Sequence, residues 1–424
     1  MANNFSRRRS SMATLVLGAT VLFGTVAGTA LMAPAAYADT KAVKLDKAVG
    51  LPLSEAQKLA AAGDYKGALA KADVAGAAAK TPNDKYQVDL MRRYVYAQTK
   101  NYAQLAVVIP RMIASGQMPA GEVQSSSKLV IQCLDQSGQK SKAVEAAKDY
   151  VAKYGHDKDF TIFVASQALG AKDYKTAIDW ANRAIEGERK AGRKAPEKWY
   201  QVAIKGSYES KDMAGYYSGI ERVVSIYPKD DYWRLLVARA DQEAKFSRAT
   251  FELDQLRLLQ AAGVALKPSE KLAMAEAAFS KKLHAEALAI LQPMKAKGEL
   301  DADPAKSARN QRLLDNAKTE AAKDAADLPA LAKAAATKPN GIGLVNTAEL
   351  YLTSGDNKKA IELYNAGIAK GGLDGIQSNA AKLRLGVAQY RDGQGVAARK
   401  TWGAITGTDG AAALAKTWSL VSSR

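Results

Sequence analysis

What most constrains this chain is an internal repeat. Between Leu344 and Gly372 the sequence reads as two helices joined at Gly355-Asp356. Leu344 and Tyr351 give the first helix a core side, Ala348 permits close approach, and Ala360, Tyr364 and Gly367 make a small–large–small series on the second. The same frame returns at Gly63-Asp64-Tyr65 with Ala68, Ala72 and Ala75, at Gly138 with Ala143, and at Asp173-Tyr174 with Ala177, Ala181 and Ala184. It returns again at Trp233, Leu236, Ala249 and Leu253, at Ala275, Phe279 and Ala287, and at Leu385-Gly386, Tyr390, Gly393, Ala398 and Trp402. Matching second-helix alanines lie 34 residues apart at Ala143 and Ala177, and 38 apart at Ala249 and Ala287 and at Ala360 and Ala398. Degenerate copies are expected at 86–116, with Asn101-Tyr102 at the turn, and at 306–338, with Pro329 starting the second helix. A repeat of this length lets a long chain fold without one large core, because each unit buries its apolar face on its neighbours.

The series resembles the tetratricopeptide repeat over nearly all of Leu51 to Thr406. The resemblance implies an all-α, right-handed α-solenoid of about nine or ten helical hairpins. Ala411 to Val421, with Leu414, Trp418 and Val421 at helical spacing, reads as a C-terminal capping helix. The segment 298–305, with Gly298, Asp301, Asp303 and Pro304, is expected to be a hinge between superhelices at 39–297 and 306–424. The segment from Glu186 to Lys198 carries Arg189, Lys190, Arg193, Lys194 and Lys198. It reads either as an anion-binding loop or as a solvated helix extension and connector.

The first 38 residues have the plan of a signal peptide. Arg7, Arg8 and Arg9 precede an apolar stretch from Met12 to Leu31, which closes on Ala36-Tyr37-Ala38. Cleavage is expected before Asp39, with export to a periplasm, and no later segment is long and apolar enough to cross a bilayer. The net charge of +18 is spread among alternating Lys and Glu. It favours anionic partners over a neutral surface, while export argues against nucleic acid. Cys133 is the single cysteine, so no internal disulfide framework is possible.

Chemistry-bearing patterns do not assemble. His156 and His284 lie 128 residues apart without cysteine or histidine at metal-ligand spacing. There is no phosphate loop, dinucleotide fingerprint, HExxH or nucleophile elbow. No catalytic residue, cofactor or metal is expected, and a noncatalytic binding protein follows. By the repeat register, Tyr200, Ile204 and Tyr208 face the concave groove in one unit, Arg234, Ala238, Asp241 and Gln242 in the next, and Val387, Tyr390 and Arg391 in the last. Aromatics beside arginines suit an interface core, so Tyr200, Tyr208, Arg234, Gln242, Tyr390 and Arg391 are the candidate partner-binding residues.

A narrower likeness is carried by Tyr227-Pro228, Tyr232-Trp233, and Leu385-Gly386-Val387-Ala388 through Trp402 to Ala415-Lys416-Thr417-Trp418. These strings resemble the periplasmic tetratricopeptide proteins that accompany TonB, ExbB and ExbD systems in Gram-negative bacteria. The likeness implies an adaptor binding envelope proteins, TonB-system components among them. The alternatives are an adaptor for anionic cell-envelope polymers and a noncatalytic subunit of an envelope assembly complex.

Overall fold

The computed structural model describes residues 45–301 and 303–423. The expected signal segment at 1–38 lies outside them. The described residues form twenty α-helices, one 3-10 turn and no strand.

Eighteen helices pair in chain order as nine hairpins: α1 (Lys47–Ala61) with α2 (Tyr65–Ala78), α3 (Pro82–Gln98) with α4 (Tyr102–Ala114), α5 (Ala120–Gln136) with α6 (Lys140–Tyr154), α7 (Lys158–Gly170) with α8 (Tyr174–Lys190), α9 (Glu197–Glu209) with α10 (Met213–Val224), α11 (Asp230–Ala238) with α12 (Arg248–Ala261), α13 (Pro268–Ser280) with α14 (His284–Ala296), α16 (Ile342–Ser354) with α17 (Asn357–Lys370), and α18 (Gly375–Arg391) with α19 (Gly395–Gly403). Two helices stand outside the pairing, α15 (Pro304–Thr337) and α20 (Ala411–Val421). Neighbours in sequence pack on one another through α1–α9 and again from α11 to α20. This is the expected all-α stack of hairpins.

One turn geometry makes eight of the nine hairpins. Helix A ends on a left-handed residue, Gly63, Lys100, Gly138, Lys172, Lys211, Lys282, Gly355 or Gly393. The next residue donates its N–H to the carbonyl five positions back, as Asp64 does to Leu59 at 2.9 Å and Asp173 to Ala168 at 2.9 Å. Orphan carbonyls at the helix end are thereby satisfied. That next residue also begins helix B: the side chains of Asp64, Asn101, Asp173, Asp212 and Asp356 accept N–H bonds from the new first turn. Opposite each turn, the small residues read from the sequence close the crossings. Ala68, Ala72, Ala75, Ala143, Ala177, Ala181, Ala348, Ala360 and Ala398 have no exposed surface, so any larger side chain there overpacks the helix contact.

The α11–α12 connection is the exception. The nine-residue α11 passes into a 3-10 turn at Arg239–Gln242 and a short loop, with no left-handed residue. The helix-B register expected there shifts as a result: Ala249 is exposed, while Phe251 and Leu253 are fully buried. The second correction concerns 306–338. It is one continuous 34-residue helix, α15, with Pro329 inside it and not at a helix start. No glycine lies between Lys306 and Asn340, and the alanine-rich sequence, a strong helix former, continues the helix and absorbs the bond lost at proline.

The chain divides into two compact units, through Tyr216 and from Tyr217. The 298–303 connector lies inside the second unit, not between units. Its Leu300 is buried in one core with Leu253, Leu291 and Leu314, which joins both sides of the connector. The terminal helix α20 covers α18 and α19, and it also packs on α11 and α12. Gly386 lets α19 close in at this end: a Cβ there would lie 2.1 Å from Trp402 Nε1. That indole instead donates to Leu383 O at 3.0 Å and stacks on Trp418.

The α7–α8 hairpin offers a two-sided test. Lys172→Gly removes a non-glycine left-handed residue and is expected to stabilise the first unit by about 1 kcal/mol. Ala177→Met, in the same hairpin, is expected to cost about 1–3 kcal/mol. Denaturant unfolding followed by fluorescence of Trp180 and Trp199 reads both; equal midpoints for the two variants would contradict this register.

Candidate functional site

In the first unit, an open cleft of about 300 Å³ runs between α4, α5 and α6. Pro110, Ile113, Val130, Ala146, Tyr150 and Tyr154 give it apolar walls, and Asp149 and Lys153 also line it. The ring of Tyr150 is held from both sides, 4.8 Å from Tyr154 and 5.2 Å edge-on to Phe160. Its hydroxyl accepts from Gln124 Nε2 at 2.9 Å. Lys128 lies over the Tyr150 ring and is fixed by Asp157 at 2.7 Å. The wall is therefore rigid and shaped before any partner arrives. Of the sequence candidates in this unit, Tyr200 is buried in α9 and serves packing. Tyr208 is exposed at the end of α9, its ring 5.5 Å from that of Tyr216. Neither lines the cleft, whose residues gave no sequence signal because each is an ordinary helix-packing type.

The basic segment 186–198 resolves as a connector. Glu188 is buried and takes both Arg193 donors at 2.7 Å, and Arg189 is bidentate on Glu186. Its guanidiniums are spent within the chain.

The second unit holds the strongest electrostatic feature of the molecule. Helices α14, α16 and α18 form a row in mutual contact. Helix α12 lies across from that row, joined to it by a seam of two arginines and three carboxylates. Arg257 is bidentate on Glu286, Nε to Oε1 at 2.8 Å and Nη2 to Oε2 at 2.6 Å. Its Nη1 also donates to Asp254 at 3.0 Å and Glu349 at 3.1 Å. Arg384 donates to Asp254 Oδ2 at 2.9 Å, Glu349 Oε2 at 2.7 Å and Thr250 O at 3.1 Å. Burial pushes the Asp254 carboxyl upward, but Arg384 and Arg257 outweigh it and hold the group below the usual carboxylate range. Arg257, though fully buried, stays charged because Glu286 and Asp254 raise its affinity for the proton.

Helix α12 is buried over most of its surface: Phe251, Leu253, Asp254, Arg257 and Leu258 are each nearly or fully hidden, while Arg248, Ala249, Glu252 and Gln260 keep one stripe exposed. Helix α12 thus covers the row formed by α14, α16 and α18. The remaining sequence candidates sit around that arrangement. Arg234 is committed to Glu270 at 2.7 and 3.1 Å and to Ala265 O at 3.2 Å, tying α11 to α13. Gln242 is exposed in the 3-10 turn. Tyr390 is half-buried against Trp402 and Trp418, and Arg391 is exposed at the end of α18 without a hydrogen bond or ion pair among the described residues. Only Tyr390 and Arg391 are brought together, as chain neighbours. The seam itself was missed by sequence reasoning. Its available signal was charge inside apolar runs: Asp254 and Arg257 three apart between Phe251 and Leu259, and Arg384 between Leu383 and Leu385.

The groups that could carry chemistry are otherwise engaged. His284 Nδ1 lies 2.8 Å from Asp324 Oδ2, and His156 lies 3.4 Å from Thr161 Oγ1. Burial pushes the Cys133 thiol up to about 11, which keeps it protonated and a poor nucleophile.

No family model matches the sequence, and no curated protein matches it. Among solved structures, a tetratricopeptide repeat protein from Parabacteroides merdae aligns over 80% of this chain and 98% of its own, at 8% identity and a TM-score of 0.29. The TPR domain of P58(IPK) aligns over 82% and 98%, at 15% identity and 0.21, and yeast Tom70 over 90% and 96%, at 11% and 0.19. Superposition at these scores carries no argument, and the fold stands on this chain's own helices and turns.

Two outcomes follow from the seam. Arg257→Met leaves buried Glu286 without its arginine and Asp254 and Glu349 with Arg384 alone, and is expected to destabilise the second unit by about 3–5 kcal/mol. The depressed Asp254 group contributes stability that is present above its unfolded value of about 3.9 and is lost as pH falls through its lower folded value. Acid unfolding followed at Trp402 and Trp418 is expected to begin below about pH 4 in the parent. Arg257→Met tolerating the same urea and the same acid as the parent would show that the seam contributes nothing.

Proposed function

We propose that this chain is a noncatalytic scaffold of the cell envelope that holds a protein partner on its first unit. The observation that carries the reading is the contrast between units. The first has an open, rigid, apolar cleft between α4, α5 and α6, whereas the inner row of the second is taken by α12 through the Arg257–Arg384 seam. A cleft of this size admits one or two apolar side chains of a partner segment. Asp149 and Lys153 stand ready to orient it.

The sequence pattern supports the envelope part of the proposal: the arginines at 7–9, the apolar run and Ala36-Tyr37-Ala38 have the plan of a signal peptide, with cleavage expected before Asp39. The partner class proposed is an energy-transducing TonB-type assembly, on the strength of the strings around Trp233, Trp402 and Trp418. Those tryptophans are core residues here, so the strings shape the second unit.

The tests are separate. Mass spectrometry of the chain recovered from cell envelopes is expected to give a mature N-terminus at Asp39; an intact Met1 terminus there contradicts export by cleavage. Crosslinked capture from the same envelopes is expected to recover a protein partner that survives high salt and is lost at least about tenfold on Val130→Asp, a loss of about 1.4 kcal/mol or more. Capture that is indifferent to Val130→Asp but lost on Gln242→Ala would move the partner to the second unit.

A further inference from the structure

The turns of the first unit carry a second surface, independent of the cleft. Successive helices α1 to α9 are antiparallel and stack in order. The A-to-B turns therefore share one edge of the stack, at the opposite end of α4 and α6 from the C-terminal residues that line the cleft. Along the turn edge the sequence places Lys66, Lys100, Lys140 with Lys142, Lys172 with Lys175, and Lys211, at least one lysine for every hairpin, and all are exposed.

Three of these lysines occupy the turn residue itself. Lys100, Lys172 and Lys211 have φ values of 53°, 62° and 62°, where glycine is at ease and a side chain is strained. The equivalent positions of the α1–α2 and α5–α6 hairpins hold Gly63 and Gly138, so the turn has no structural need for lysine. Strain kept at a repeated position points to use of the side chain. The side chains of Lys66, Lys100, Lys172, Lys175 and Lys211 make no hydrogen bond or ion pair among the described residues. The acids of this edge keep their charge, but Asp64, Asp173 and Asp212 are each held against the N-terminus of the helix that follows, Asp135 holds Lys140, and Glu209 is left as an exposed carboxylate.

We infer that this edge binds a linear polyanion, one anionic group per hairpin. Helix layers stand about 10 Å apart, so the lysines form a narrow row with regular steps. A single small anion would meet one or two of them. A polymer with repeating phosphate or similar charge meets all of them and releases counterions at each. A lipid surface, being broad and flat, gains little from a row one lysine wide.

The test uses the full mature chain and labelled inorganic polyphosphate, with anisotropy titrated across a salt series. The triple variant K100G/K172G/K211G removes three charges while relieving three strained backbones. Its melting temperature is expected to equal or exceed that of the parent, so weaker binding cannot come from unfolding. The slope of log affinity against log salt is expected to fall by roughly two to three, with affinity down at least about tenfold. A control, K80Q/K190Q/K198Q, removes equal charge from the opposite edge and is expected to retain most of the slope. Three results overturn the inference: an unchanged slope in the triple-glycine variant, an equal loss in the control, or binding to anionic phospholipid vesicles through the same lysines without binding to polyphosphate.

Discussion

The structure rests on helix crossings no wider than an alanine side chain. Fully hidden Ala68, Ala143, Ala177, Ala360 and Ala398 set the distance between helices of a hairpin and between hairpins. Once that spacing is fixed, large residues such as Tyr364, Phe163 and Ile131 have defined gaps to fill. Stability is then a sum of neighbour contacts, and the chain can grow without a larger core. The turns serve the same end. A left-handed residue, followed in five of the eight turns by a capping Asp or Asn, reverses the chain in few residues and satisfies carbonyls at the end of the first helix.

The second unit departs from this economy in one place. Helix α12 follows an irregular connection, enters without the usual turn, and is surrounded by α11, α13 and α20 and by side chains from α14, α16 and α18. An apolar seam would admit several registers of one helix against another. The Asp254–Arg257–Glu286–Glu349–Arg384 network admits one, because displacement by a turn strands buried charge. The seam thus acts as a positional lock, and it gives the two units different uses for the same repeat. One leaves an apolar cleft open; the other is filled from within.

How much of this was legible in the sequence follows from where the information is local. Hairpins with a glycine or a capping Asp at the turn were readable, because turn, cap and close-contact alanine all lie within a dozen residues. Residues 306–338 were misread as a hairpin because the repeat spacing called for one, while the alanine-rich composition that lets one helix run on is the same composition that every repeat shows. Ala249 was misplaced for the complementary reason: the α11–α12 loop breaks the register without any marker in composition. The seam joins residues up to 130 positions apart, so only the oddity of charge inside apolar runs announced it. Of the candidate residues, Arg234 and Tyr200 have structural employment that no local pattern could reveal, and the cleft is built from residue types common to every repeat.

Native-state hydrogen exchange of the second unit tests most directly whether α12 is a fixed part of its interior. The seam and the burial of Phe251, Leu253, Asp254, Arg257 and Leu258 predict that amides at 251–259 exchange only with global unfolding of that unit, alongside those of α16 and α18. Exchange of α12 at a much lower free energy, with α16 and α18 still protected, would show that the helix leaves its place and that the inner row is available to a partner after all.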